Sequence, residues 1–283
     1  MNLRNQIELA TGQSIKSVSP LHGGDIGQVY LVQTASGIPL VAKVDNGPDP
    51  HLDVEAFMLE FLKGNSNLPV PQVIFKSPQL LVISYITGNS HFSDQAQMHA
   101  AELLAELHAV SAPAFGFEQP TWIGSLHQQN PWSESWLSFF AEQRLIYMAE
   151  QGLQAGRLPA ALARRVEKLA QNLDQWLEEP SEPSLIHGDV WTTNVLAAGD
   201  RIVGFLDPAV YYASPEIELA FITLFSTFGE PFFRRYQEIR PILPGFFTER
   251  RDIYNLYPLL VHVRLFGGGY VASVDSILSR YGC

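Results

Sequence analysis

The chain has 283 residues, 46% hydrophobic and 17% charged, a balance that supports a sizeable core and excludes wholesale disorder. Eighteen Lys and Arg against 29 Asp and Glu leave a formal charge of −11, which argues against a general nucleic-acid or anionic-membrane binder. The only cysteine is Cys283, so an internal disulfide and a cysteine-rich metal site are excluded.

At the N-terminus, Met1 to Gln6 has no apolar signal core, and no run approaches the roughly 18 apolar residues of a membrane span, so a cytoplasmic protein is expected. The first ~85 residues read as strands around one helix. Val29–Val32 and Leu40–Val44 are β-type runs, with a turn at Ser36-Gly37 between them. Leu52 to Leu62 has apolar residues at helical spacing, with Asp49 or Asp53 as a candidate cap and Gly64-Asn65 as its stop. Val73–Phe75 and Leu80–Ile83 are two more strands. From Gly88 the pattern turns helical: Ala96, Ala100, Leu103, Leu104 and Leu107 mark one helix, and others are expected near 132–151, 159–178, 214–228 and 249–266. Gly267-Gly268-Gly269 reads as a helix stop. One island of short apolar runs with polar and glycine residues, Leu185 to Leu206, interrupts the helices. The boundary between the two halves is expected at residue 86, giving segments 1–86 and 87–283.

The island carries the chemistry. His187-Gly188-Asp189-Val190-Trp191-Thr192-Thr193-Asn194 is followed by an apolar strand ending in Asp207-Pro208. Phosphoryl transfer needs a carboxylate to orient the attacking hydroxyl and take its proton, and two oxygen ligands to hold Mg²⁺ on the nucleotide phosphates. Asp189 suits the first role; Asn194 and Asp207 suit the second. In the N-terminal half, Lys43 sits inside an apolar strand, where an ammonium needs a partner. It could reach phosphates, with Glu55 on the following helix as its ion-pair partner and Glu60 as the competitor. Gly23, Gly24 and Asp25 precede a strand and could close over phosphates with backbone N–H groups. There is no G-x4-G-K-[ST], H-E-x-x-H or G-x-S-x-G, so P-loop, zincin and common serine-hydrolase chemistry lack support. No D-F-G or A-P-E segment follows to indicate a protein kinase. His187 reads as structural. Trp191, beside the base, could wall a sugar, Glu216 could meet a cationic amine, and Tyr212 is a further substrate candidate.

Taken together, these segments resemble the fructosamine (ketosamine) kinase family, within the protein-kinase-like small-molecule kinases that include aminoglycoside phosphotransferases. The resemblance rests on the H-G-D-x4-N run with Trp191, on Phe115-Gly116-Phe117 and Trp122-Ile123-Gly124, and on Gln128-Gln129-Asn130 with Trp136. It also rests on Phe139–Arg144, on Asp207–Tyr212 with Glu216, and on Leu265–Tyr270. It implies an α+β, bilobal protein-kinase-like fold with a small β-rich N-lobe and a larger, mainly helical C-lobe. It implies ATP and Mg²⁺ in the cleft, and phosphorylation of O3 of a fructosamine or ribulosamine, free or on a glycated protein. Asp189 would be the base, Asn194 and Asp207 the metal ligands, and Lys43 with Glu55 the phosphate-positioning pair. Ser84, Tyr85 and Ile86 would meet adenine through the backbone, and Glu218 would anchor the catalytic loop. Thr192-Thr193, Ala213-Ser214-Pro215 and Gly27-Gln28 depart from the family pattern. Two alternatives stand beside this reading: another small-molecule kinase of the aminoglycoside or choline kinase type, and a non-enzymatic nucleotide-binding module. Charge divides unevenly, −2 over residues 1–86 and −9 over 87–283, and an acidic C-terminal half suits a cationic amine.

Overall fold

The computed structural model describes residues 2–21 and 28–283. Helix α1 (Leu3–Thr11) leads into five strands: β1 (Ile15–Pro20), β2 (Gln28–Thr34), β3 (Pro39–Val44), β4 (Val73–Lys76) and β5 (Leu80–Ser84), with α2 (Leu52–Asn65) between β3 and β4. They form one antiparallel sheet in the order β1-β2-β3-β5-β4. The expected strands and α2 are present; β1 and α1 were not anticipated. Asn2 caps α1 by accepting the Asn5 N–H at 2.9 Å, and Gly12 ends it in the left-handed region at φ 67°.

Strand periodicity of two decides what each face of this sheet holds. Leu40 and Ala42 of β3 join Ile7, Ile15, Val32 and Val82 on the face covered by α1. Val41 packs on the other face with Ala56 and Leu59 of α2 and with Leu81 and Ile83. Lys43, two residues beyond Val41, therefore faces α2. Neither expected aspartate caps α2: His51 holds the N-cap without a side-chain capping bond, and Asp53 lies in the first turn. The His51 ring stacks on Trp122, with its Nδ1 bonded to the Asp49 carbonyl at 2.8 Å.

The rest of the chain is mainly helical. It contains α3 (Asp94–Leu107), the hairpin β6 (Thr121–Ile123) and β7 (Leu126–Gln128), α4 (Trp136–Phe139), a π-helical turn (Phe140–Ile146), α5 (Tyr147–Gln154) and α6 (Ala160–Ala170). Then come β8 (Ser184–Ile186), β9 (Val195–Ala198), β10 (Arg201–Phe205), β11 (Tyr211–Ala213), α7 (Pro215–Leu224), α8 (Glu230–Ile239), α9 (Arg251–Phe266) and α10 (Gly269–Arg280). The expected helix over 159–178 stops at Ala170, and a short turn at Leu173–Gln175 follows. Gly267 does end α9, at φ 67°, but the chain turns directly into α10, which the sequence reading passed over together with α8. Among the described residues no helix is long and apolar enough to cross a membrane.

Two of the segments that carry the resemblance have structural explanations. Gly116 pairs with Tyr212 through both backbone bonds, 3.0 and 2.8 Å. A Cβ at Gly116 (φ 112°) would lie 2.5 Å from the Pro131 carbonyl oxygen, so only glycine fits between Phe115 and Phe117. Arg144, inside the π turn, is fully buried. Its guanidinium lies 3.9 Å from the Tyr211 ring centroid and 4.6 Å from that of Phe139. It donates to the Gln129 carbonyl at 2.7 Å and to Asn130 Oδ1 at 2.6 Å. Amide oxygens and aromatic faces thus do for this cation what a carboxylate usually does. Arg144→Leu would strand those acceptors in the core, and a loss of roughly 3 kcal/mol is expected in urea denaturation; a variant within 0.5 kcal/mol of wild type would refute the assignment.

Candidate active site

A cavity of about 700 Å³ lies between the sheet and the helical part, lined by Lys43, Glu55, Asp189, Asn194 and Asp207 among others. Lys43 Nζ donates to Glu55 Oε1 at 2.7 Å and also pairs with Asp207 Oδ1. Glu55 wins over Glu60 because the two point to different faces of α2; Glu60 pairs instead with Lys76. Burial alone would lower the Lys43 pKa, but Asp207 and Glu55 outweigh it and hold the ammonium well above its ordinary value.

Gly188 sets the entry to the catalytic segment. Its φ is 87°, and a Cβ there would lie 2.1 Å from the Ala209 carbonyl oxygen. The next residue, Asp189, accepts a bond from Asn194 Nδ2 at 2.7 Å through Oδ2, and the same amide nitrogen reaches the Asp189 carbonyl at 3.1 Å. With its NH₂ committed, Asn194 presents only an acceptor oxygen to anything else. Asp207 sits two residues beyond β10 with φ 53°, a conformation unfavourable for a residue with a side chain. Its side chain is 46% exposed and opens into the cavity.

The loop is anchored from behind. Glu218, in the first turn of α7, accepts the Gly188 N–H at 2.6 Å and the His187 N–H at 3.4 Å. Its Oε2 also bonds His108 Nε2 at 2.9 Å, and His108 Nδ1 bonds the Tyr236 hydroxyl at 2.7 Å. Burial would push the Glu218 pKa up; the bond and charge of His108, with His187 and the Gly188 N–H, bring it below its ordinary value. Burial pushes His187 down, in keeping with a structural, neutral ring.

Not every expected site residue belongs to the cavity. Trp191 lines it, 5.6 Å from Phe225. Tyr212 and Glu216 lie outside that lining. The Tyr212 ring packs on Phe61, Phe117 and Trp132. Glu216 is held by Arg250 through two bonds of 2.7 Å. Ser84 ends β5, Tyr85 and Ile86 follow it, and all three lie outside the lining; the Ser84 hydroxyl accepts the Gln72 N–H at 2.9 Å, and Ile86 packs over Gly204. Gly23, Gly24 and Asp25 fall outside the described residues. Two groups of lining residues escaped the sequence reading. One is His51 stacked on Trp122, ring centroids 3.7 Å apart and 9° from parallel. The other is the wall of Phe221, Pro258, Val261, Leu265 and Phe266 on α7 and α9. Of the second, Leu265 and Phe266 were named only within a segment that carries the family resemblance.

Sheet, helical part and cleft define a protein-kinase-like phosphotransferase. The fold is shared with aminoglycoside phosphotransferase APH(4)-Ia, with a TM-score of 0.71 at 16% identity over 100% of this chain and 99% of that one. The family model for fructosamine kinase matches residues 1–281, and the chain belongs to that family. It is 32% identical over 276 residues to the chloroplastic protein-ribulosamine 3-kinase of Oryza sativa subsp. indica, covering 94% of this chain and 79% of that protein. The "probable ketoamine kinase" of Vibrio parahaemolyticus is 31% identical over 265 residues, 92% and 90% of the two chains. A solved fructosamine-3-kinase-type protein of Thermobifida fusca superimposes with a TM-score of 0.86 at 30% identity, over 98% and 99%.

Burial, with the Asp207 charge next in size, pushes the Asp189 carboxyl up to about 8. The unfolded chain releases this proton near pH 4, the folded one near 8, so this group's contribution to stability falls as pH rises between them. Asp189→Asn, free of that titration, is expected to gain in Tm over wild type by an amount that grows from about pH 5 to 8 in protein without nucleotide. A difference independent of pH would show that the carboxyl is not so perturbed.

Proposed function

We propose that this member of the fructosamine kinase family transfers the γ-phosphoryl group of ATP to O3 of a fructosamine or ribulosamine. The observation that supports it best is the meeting, in one cleft, of the Lys43–Glu55–Asp207 chain with the Asp189–Asn194 pair. Residues 1–86 form the nucleotide lobe in this reading, and residues 87–283 the catalytic and acceptor lobe.

The donor set fits Mg²⁺. Asp207 and Asn194 offer one carboxylate and one amide oxygen, and Mg²⁺ is usually held by one or two such groups together with water and substrate phosphates. When bound, the ion would neutralise charge developing on the transferred group and favour the ionised form of Asp189. Asp189 then accepts the proton of the acceptor hydroxyl as its oxygen bonds to the γ-phosphorus and the bond to the ADP oxygen breaks. Asn194 holds the Asp189 carboxylate in place through its amide N–H. Lys43 positions the phosphates, kept at the right height on β3 by Glu55. Glu218 fixes the backbone from which Asp189 projects. Ser84 to Ile86 provide backbone groups for adenine, and Trp191 walls the sugar. The 3-phosphate product breaks down and frees the amine.

The decisive assay sets a fructosamine and a ribulosamine side by side with ATP and follows ATP consumption and amine release. Asp189→Asn is expected to lower kcat by about 10²–10⁴-fold, the usual share of general base catalysis. Lys43→Met is expected to raise the KM for ATP as well as lower kcat. Undiminished turnover in the Asp189 variant would remove the base from this scheme, and turnover of an aminoglycoside or choline in place of both ketosamines would move the substrate class.

A further inference from the structure

Gln128 and Asn130 stand in a segment that carries the family resemblance, yet neither lines the cleft. Both are buried and belong to one polar chain in the core. Arg144 Nη2 donates to Asn130 Oδ1 at 2.6 Å, and Asn130 Nδ2 donates to Thr121 Oγ1 at 2.8 Å. Gln128, the cross-strand partner of Thr121 in the β6–β7 hairpin, donates from Nε2 to the same hydroxyl oxygen at 2.9 Å and to the Ala209 carbonyl at 3.2 Å. The Thr121 hydroxyl donates to the Val210 carbonyl at 3.4 Å, and the Tyr257 hydroxyl on α9 donates to Gln128 Oε1 at 2.6 Å.

The ends of the chain fix its direction, because a guanidinium only donates and a carbonyl only accepts. Arg144 turns the Asn130 oxygen toward itself and the Asn130 NH₂ toward Thr121. The Ala209 carbonyl claims the Gln128 NH₂ and leaves Oε1 to the tyrosine. Both end carbonyls lie just downstream of Asp207. Pro208 has no N–H, so the first N–H after Asp207 is that of Ala209, which bonds the His187 carbonyl at 2.8 Å. Ala209 and Val210 are buried and precede β11, whose ladder starts at Tyr211, so their carbonyls look to Gln128 and Thr121 for donors. The Ala209 carbonyl also sits where a Cβ on Gly188 would be, against the catalytic segment. The left-handed backbone of Asp207 has to be held from outside, and the hairpin supplies that hold.

Resting on the reading of Asp207 as a metal ligand, we infer that Gln128 is a positioning residue for Asp207: through the Ala209 carbonyl it sets the turn from which that carboxylate meets the metal–nucleotide complex. Gln128 touches neither nucleotide nor acceptor. Its loss acts on the metal-dependent part of nucleotide binding and leaves the metal-independent part alone.

The test measures the affinity for AMP-PNP by calorimetry in Mg²⁺ and in EDTA, and reads the ratio of the two. Wild type is expected to bind more tightly in Mg²⁺, and Asp207→Asn to lose that advantage. Gln128→Met keeps the length of the side chain and removes its donors. It is expected to lower the ratio by about tenfold, the usual scale for removing a group that orients a metal ligand, with the affinity in EDTA unchanged. Gln128→Glu keeps the shape and the acceptor for Tyr257 but has no NH₂; it is expected to do the same, and it replaces Gln128→Met if that variant does not fold. Tyr257→Phe, which leaves both Nε2 bonds in place, is expected to lower Tm and keep the ratio. A wild-type ratio in the Gln128 variant, an equal loss of affinity in Mg²⁺ and in EDTA, or the same fall in Tyr257→Phe would each make Gln128 a core residue only, and overturn the inference while the metal reading stands. A ratio that survives in Asp207→Asn would overturn both.

Discussion

The site hangs on one ammonium group. Lys43 touches Glu55 on α2 and Asp207 just beyond β10, so a single cation ties together the sheet, the helix that covers it and the catalytic half. The Lys43 and Glu55 side chains are 13% and 16% exposed, so neither charge could be removed without leaving the other with few partners. The sheet period fixes Lys43 on the α2 face, and the helical period of α2 fixes Glu55 toward it. Asp207 completes the arrangement through a left-handed backbone that costs energy locally. The strain is tolerable because the turn is held from both sides: Leu206 N–H reaches the Asn194 carbonyl at 2.8 Å, and Ala209 N–H the His187 carbonyl at 2.8 Å.

A second buried charge does the corresponding work for the catalytic loop. Glu218 cannot be replaced by a nonpolar group without orphaning the N–H groups of Gly188 and His187. Its own partner, His108, caps the C-terminal end of α3, and Tyr236 from α8 closes the chain. Three helices thus converge on the backbone that aims Asp189, and the acidity of the C-terminal half is partly internal. Glu216 is likewise consumed, by Arg250. The negative charge counted in the sequence is therefore less available to a cationic amine than the bare sum suggested.

How much of this was legible beforehand depended on the range of the interactions. Strands β2 to β5 and helix α2 were legible because alternation and helical spacing are local signals. The Lys43–Glu55 pair followed from the same two periods, and the H-G-D-x4-N run announced its own chemistry. The partners of Tyr212 and Glu216, Phe61 and Arg250, are distant in the chain, and nothing near them in sequence shows these contacts. His108 carried no local mark that would distinguish it from an ordinary core histidine; its meaning comes from Glu218, 110 residues away. Helices α8 and α10 were hidden differently, the first by its polar exterior and the second by the glycines at its start.

The underside of α2 holds one more consequence. Phe57 and Phe61 press on Phe117, with ring centroids 6.0 and 4.8 Å away, Met58 Sδ accepts the Val210 N–H at 3.4 Å, and His51 lies flat on Trp122. Swinging α2 outward would break Glu55 from Lys43 and also uncover this aromatic seam, at about 2 kcal/mol for each large ring exposed. Here the pairing that readies the nucleotide site is held by packing as well as by charge, so opening this joint would expose aromatic surface along with the broken ion pair.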